Sequence, residues 1–181
     1  MYRIKCVVVG DGSVGKTFLL LKYSNKEASF VYTPTVFDNY HVELEVNHSV
    51  YGLELWDTAG QSDYERLRPL SYPHTDIFLI CFSISNRISF ENVKSTWLPE
   101  IRHHCPHSKF VLVGTKMDLR NDTKLKTVSF DEGFRLAKDI NAVFYHECSG
   151  LTMEGVEQLF YKSIRTVVNN NKPKKRRCIM L

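Results

Sequence analysis

No apolar run in this 181-residue chain approaches the roughly 20 residues that a membrane-spanning helix needs. Met1-Tyr2-Arg3-Ile4-Lys5 runs straight into a strand-like stretch without the layout of a signal peptide. These two absences predict a protein made and kept in the cytosol. Metal-ligand pairing is missing as well. The five cysteines, Cys6, Cys81, Cys105, Cys148 and Cys178, are odd in number, and four of them sit among apolar residues or at strand ends, so reduced thiols are expected. The body also lacks a charge of one sign. The net +4 arises because Lys172, Lys174, Lys175, Arg176 and Arg177 are five of the 24 basic residues, leaving 19 against 20 acidic ones. A near-neutral body offers no nucleic-acid footprint. Finally, the chain is too short for two ordinary domains but, at 43% hydrophobic, long enough for one buried core. The predicted organisation is one domain over 1–170 and a polybasic tail over 171–181.

Apolar runs of the buried-strand kind recur at Ile4 to Val9, Ile77 to Phe82, Phe110 to Val113 and Val143 to Tyr145, separated by segments with helical spacing. Between Val42 and Leu55 the pattern changes to alternation around a polar Asn47-His48-Ser49 turn, which predicts one antiparallel hairpin at a sheet edge. Helices are predicted to begin near Lys16, Ser89, Ser129 and Met153, with Ser89 and Ser129 as N-cap hydroxyls, and the last to end at Asn169-Asn170-Asn171. Alternating strands and helices imply an α/β doubly wound fold, whose ligands bind outside the carboxyl ends of the strands.

Residues 10–17, GDGSVGKT, match G-x-x-x-x-G-K-[ST] between the first apolar strand and the first helix. Gly10, Gly12 and Gly15 let the backbone turn successive N–H groups toward phosphate oxygens, with the helix N-terminus behind them. Lys16 would reach the β and γ phosphates and Thr17 would place its hydroxyl on Mg²⁺. This motif leaves ATPases, kinases and GTPases open. Asp57-Thr58-Ala59-Gly60-Gln61 follows the third strand, where an acid can order Mg²⁺ and Gln61 can orient an attacking water. Asp118, after Thr115-Lys116-Met117, can accept the N1 and N2 protons of guanine, although a lone aspartate at a strand end can equally cap a turn. Glu147-Cys148-Ser149-Gly150-Leu151 could offer a backbone N–H to the guanine O6.

Taken together, GDGSVGKT, Tyr32-Thr33-Pro34-Thr35-Val36-Phe37-Asp38-Asn39-Tyr40, LWDTAGQ, GTKMD and ECSG occur in the order of the Ras superfamily, which the chain resembles over nearly its whole length. TPTVFDNY, Trp56 before the acid, residues Tyr64 to Tyr72 and Thr115 resemble the Rho/Rac branch. The resemblance implies a P-loop NTPase fold: a mostly parallel six-stranded sheet with one antiparallel edge hairpin and helices on both faces. It implies a slow GTP phosphohydrolase cycling between GDP-bound and GTP-bound states, with GTP or GDP and Mg²⁺ as its ligands. Nucleotide contacts would come from Gly12, Ser13, Val14, Gly15, Lys16, Thr17, Phe18, Tyr32, Thr35, Gly60, Thr115, Lys116, Asp118, Ser149, Gly150 and Leu151. Thr17, Thr35 and Asp57 would hold the metal, and Gln61, Lys16 and Gly60 would carry catalysis. Residues 30–40 and 58–72 would be switches read by exchange factors, activating proteins and effectors, the protein itself being a monomer. An activating protein would supply an arginine lacking in cis.

Two departures stand out. The family's phenylalanine that packs against guanine is matched by Ala28, which predicts fast spontaneous exchange unless Phe30 substitutes. From Leu119 to Ser129 the chain is short where Rho/Rac proteins insert a charged helix. Gly150 replaces a usual alanine and is expected to matter little. The main rival to a hydrolysing switch is a membrane-bound adaptor that exchanges nucleotide and hardly hydrolyses it.

Cys178-Ile179-Met180-Leu181 is a C-a-a-X box whose final leucine favours geranylgeranyl. One prenyl chain binds a membrane marginally, and the adjacent basic run would add attraction to an anionic leaflet. The expected location is the cytoplasmic face of a membrane, the plasma membrane by resemblance, with a cytosolic pool. Read alone, the basic run would suggest nuclear import or nucleic acid instead. His103, His104, Cys105 and His107 could suggest a metal, yet they close an amphipathic helix formed by Phe90, Val93, Trp97 and Ile101, where the dipole already favours cations.

Overall fold

The computed structural model describes residues 2–25 and 37–170. Six strands form one sheet: β1 (Tyr2–Val9), β2 (Phe37–Val46), β3 (Ser49–Thr58), β4 (Ile77–Ser83), β5 (Lys109–Thr115) and β6 (Tyr145–Glu147). Their order is β2-β3-β1-β4-β5-β6, all neighbours parallel except the β2–β3 pair. The predicted fold is therefore present, and the hairpin sits at the edge. Its turn, Asn47-His48, has both residues at positive φ (52° and 61°), the geometry that matches the twist of the flanking strands.

The helices are α1 (Lys16–Tyr23), α2 (Arg87–Asn92), α3 (Leu98–His104), α4 (Phe130–Asp139) and α5 (Val156–Asn170). Because a strand sends alternate side chains to opposite faces, β4 buries all seven of its residues, Leu79 and Cys81 on one face and Phe78, Ile80 and Phe82 on the other. The first face packs on Leu19 and Leu20 of α1 and Leu159, Phe160 and Ile164 of α5. The second packs on Phe90, Val93, Trp97 and Ile101, and on Ala137 of α4. Phe160 and Ile164 are core residues, as their spacing predicted, with Val168 packed beside them.

Ser129 caps α4 in a reciprocal capping box with Glu132. The predicted start at Ser89 is corrected. Asn86 caps α2 instead, its side chain accepting from the Ser89 N–H at 3.1 Å, while the Ser89 hydroxyl turns inward to the Asn86 carbonyl at 2.8 Å. The last helix starts at Val156 rather than Met153, because Met153 and Gly155 take positive φ (66° and 74°). The last strand lies two residues later than Val143–Tyr145, since Val143 precedes the ladder and Tyr145, His146 and Glu147 form it. Between Asn121 and Phe130 no helix intervenes, in line with the short segment read there.

Val93–Trp97 joins α2 to α3 as a π-helical stretch. Pro99 follows at the start of α3. A proline in a continuous α-helix lacks its N–H and clashes with the carbonyl four residues back, and a widened turn relieves both. The stretch aims Trp97 at the loop after β1.

Candidate functional site

The loops after β1, β3, β5 and β6 meet at the carboxyl end of the sheet, where an open α/β sheet binds its ligands. In the first of them, Gly10 has φ +143° and a Cβ there would lie 2.1 Å from the Cys81 carbonyl oxygen, so no larger residue fits so close to β4. Gly12, Ser13, Val14 and Gly15 complete the turn, and Lys16, Thr17 and Phe18 open α1.

Lys16 is buried, and its Nζ donates to the carbonyls of Gly10 at 2.7 Å and Asp11 at 2.9 Å. Burial pulls its pKa below the usual lysine value, while the nearby Asp57 carboxylate pulls it back up. Asp57, at the end of β3, is fully buried. The buried Asp57 carboxylate and the Thr17 hydroxyl on the first turn of α1 are hard oxygen donors that suit Mg²⁺, and the buried Lys16 ammonium near Asp57 suits the phosphate beside it. The residues present therefore fit a Mg²⁺ nucleotide. Gly60 lies against the loop itself: a Cβ there would be 2.4 Å from the Gly12 nitrogen and 2.5 Å from the Gly10 carbonyl oxygen. Gln61 follows, half-buried, at the start of the turn Ser62–Tyr64.

The GTKMD segment braces the phosphate loop from behind. Thr115 Oγ1 donates to the Val14 carbonyl at 2.6 Å, and Lys116, at φ 60°, donates from Nζ to the Ser13 carbonyl at 2.9 Å. The same φ turns Asp118 toward the β6 loop, where Ser149 Oγ donates to its carboxylate at 2.5 Å. Met117 N–H bonds the Cys148 carbonyl at 3.2 Å, locking the two base-side loops together. Gly150 lies against Phe18, which a Cβ would approach to 3.0 Å, so this position is more constrained than the sequence reading held. Leu151 is exposed beside it. Tyr32, Thr35, Ala28, Phe30 and Cys178 lie outside the described residues.

A second set of residues was not legible in the motifs. Asp11 receives Trp97 Nε1–H on one carboxylate oxygen at 2.6 Å and Asn92 Nδ2–H on the other at 2.7 Å. Residues five apart share a side only in a π turn, so α-helical spacing gave no hint of this pair. The Arg68 guanidinium lies over the Trp97 ring at 4.5 Å and forms a two-bond pair with Glu100 at 2.9 and 2.7 Å. Its third contact is to the Ala59 carbonyl at 2.7 Å. Tyr72 donates its hydroxyl to the same Glu100 carboxylate. Phosphate loop, residues 59–72 and the π stretch thus form one connected polar network.

The chain was compared with models of known protein families. The model described as "Ras: Ras family" matches residues 5–169. That span includes all six strands and both groups of loops just described, but for the first residues of β1.

Proposed function

We propose, from the premise that this chain belongs to the Ras family of small GTPases and so binds GTP and GDP with Mg²⁺, that it is a Rho/Rac-type switch held on a membrane by its C-terminus. The observation that carries the reading of the site is the meeting of buried Lys16 and Asp57 on one side of the loop and the Asp118–Ser149 pair on the other. One side suits phosphate and the other a purine with two donors.

In this reading residues 1–170 are the nucleotide-binding domain and 171–181 the anchoring tail. Lys16 offsets charge on the β and γ phosphates, and the N–H of Gly60 meets the γ-phosphate. Gln61 orients water for in-line attack. Mg²⁺, when bound, supplies positive charge against the phosphate oxygens. Thr17 and Asp57 would hold it, with Thr35 as a further oxygen donor in the GTP state. Asp118 accepts from guanine, Ser149 fixes the rotamer of that carboxylate, and the Ser149 to Leu151 loop offers its N–H groups to the base edge. Arg68 is held by Glu100 and Ala59, and by the family resemblance the arginine that stabilises the transition state comes from an activating protein.

Rho/Rac membership is supported by TPTVFDNY, Trp56 and the Tyr64 to Tyr72 segment. Regulators and effectors read residues 30–40 and 58–72. Exposed Phe37, Leu67 and Leu70, with Phe37 edge-on to Trp56 at 5.1 Å, give that surface apolar anchors. Signalling to the actin cytoskeleton follows only from the branch resemblance. Prenylation of Cys178 with the adjacent basic run places the protein on the cytoplasmic face of a membrane, with a cytosolic pool. Among the described residues no helix is long and apolar enough to cross one.

Ala28 in place of the guanine-packing ring makes spontaneous exchange fast, by roughly two- to tenfold. Release of a fluorescent GDP analogue, with and without Mg²⁺, tests this beside Ala28→Phe. Slower release from the variant supports the reading, and equal rates reject it. Single-turnover GTP hydrolysis separates the switch from an exchanging adaptor with negligible hydrolysis.

A further inference from the structure

The phosphate loop carries an acid of its own. Within GDGSVGKT, Asp11 alone is negatively charged, and it stands next to Gly12, where the backbone turns toward the nucleotide. Like charges repel more strongly in the low dielectric of a partly buried site than in water, so a carboxylate here opposes the phosphates unless it is directed elsewhere. The backbone of Asp11 is fixed from two sides. Its carbonyl accepts from Lys16 Nζ at 2.9 Å, and a Cβ on Gly60 would lie 2.4 Å from its carbonyl carbon.

The side chain meets the π-helical stretch instead. Asn92 Nδ2–H and Trp97 Nε1–H take one carboxylate oxygen each, at 2.7 and 2.6 Å. Both donors are neutral, so they orient the charge without cancelling it. Trp97 is itself immobilised: it is 2% exposed, sits in one apolar layer with Phe90, Val93 and Ile101, and carries the Arg68 guanidinium over its ring at 4.5 Å. Arg68 is held in turn by Glu100 and by the Ala59 carbonyl. The π stretch is what lets two donors five residues apart grip one carboxylate. Burial lowers the Lys16 pKa, and Asp11, after Asp57, is among the carboxylates that raise it, so the Asp11 charge is felt at the ammonium that serves the phosphates. Released from its donors, that carboxylate would compete with phosphate for Lys16.

We infer that Asn92 and Trp97 are positioning residues for nucleotide binding: their N–H groups hold the Asp11 carboxylate away from the phosphates and leave Lys16 to the nucleotide. The inference rests on the assignment of this loop to the nucleotide phosphates. Neither residue touches the nucleotide in this account. Each acts through Asp11, and loosening either one should show as faster nucleotide release.

The test measures release of a fluorescent GDP analogue, with Mg²⁺ present, from the full-length chain as wild type, Asn92→Ala, Asp11→Ala and Asp11→Ala/Asn92→Ala. A hydrogen bond to a charged group controls on the order of ten- to a hundredfold, and Trp97 still holds one oxygen, so Asn92→Ala should release GDP about tenfold faster than wild type. Asp11→Ala should release no faster than wild type, because the repelling group is gone, and the double variant should match Asp11→Ala. Asp11→Asn keeps the shape and drops the charge, and should behave as Asp11→Ala does where the alanine variant fails to fold. A merely structural clamp predicts the opposite, with Asp11→Ala as fast as Asn92→Ala, and that result overturns the inference. Equal release from wild type and Asn92→Ala overturns it too, as does an effect of Asn92→Ala that survives in the double variant. Wild type that takes up no GDP overturns the assignment of the loop itself, whereas failure of the clamp alone shows in proteins that load.

Discussion

The two ends of the sheet treat charge in opposite ways. At the carboxyl end Lys16, Asp57 and Arg68 are buried, and the polar groups answer one another through backbone carbonyls and side chains. At the amino end His48, His74, His103, His104 and His107 are exposed, and His74 and His107 line an open cleft. Burial makes the first set rigid and keeps it in a low dielectric, where charge counts for more. A parallel sheet gives its two ends different chemistry because every crossover returns its helix C-terminus to one end and opens its next helix at the other.

The largest break in this comparison comes from Arg68→Ala. Removing one partner of a buried pair leaves the Glu100 carboxylate with only the Tyr72 hydroxyl and takes the Arg68 donor from the Ala59 carbonyl, at a cost of about 3 kcal/mol in denaturant unfolding. Next is Lys16→Met, which deletes a charge-assisted contact to phosphate. Calorimetric GDP affinity should fall by about 1.5–3 kcal/mol, on the order of ten- to a hundredfold, with the fold retained by circular dichroism. Trp97→Phe keeps the ring under Arg68 and removes only the Nε1–H bond to Asp11. It should cost about 1.5 kcal/mol, read as a lower melting temperature, because Asn92 still holds the other carboxylate oxygen.

The smallest effect belongs to Ser129→Ala, which opens the α4 capping box for about 1 kcal/mol. Its partner Glu132 is pushed down to about 2, first by its hydrogen bond from Arg87 and then by Ser129. A depressed carboxyl pKa gives stability that is present above the ordinary value of 4.5 and lost as pH falls toward 2. Acid titration of thermal stability should therefore be shallower in Ser129→Ala than in wild type over that window.

Much of the site was legible because its chemistry is local. GDGSVGKT, DTAGQ, GTKMD and ECSG each name a strand end, and the parallel order brought Lys16, Asp57, Asp118 and Ser149 together as the motifs require. The Ser129 cap was legible for the same reason, being complete within four residues. What escaped depends on long-range packing. Asp11 meets Trp97 only because Pro99 and the π stretch rotate the helix, and Arg68 meets Glu100 across 32 residues. The Ser89 start failed because Asn86 competes for the same N–H group and wins it. The late start of α5 turns on Met153 and Gly155 taking positive φ, which hydrophobic spacing does not encode.

Single-turnover hydrolysis of GTP tests the central claim most directly, run on wild type and on Gln61→Leu with Mg²⁺ present and then chelated. A switch built as described should turn over at about 10⁻⁴ to 10⁻³ s⁻¹ unaided. The rate should drop at least about tenfold in the variant and collapse without Mg²⁺, while GDP still binds both proteins. A wild-type rate no higher than that of the variant, or one indifferent to Mg²⁺, would contradict the assignment of Gln61, Lys16 and Asp57 to a hydrolytic site.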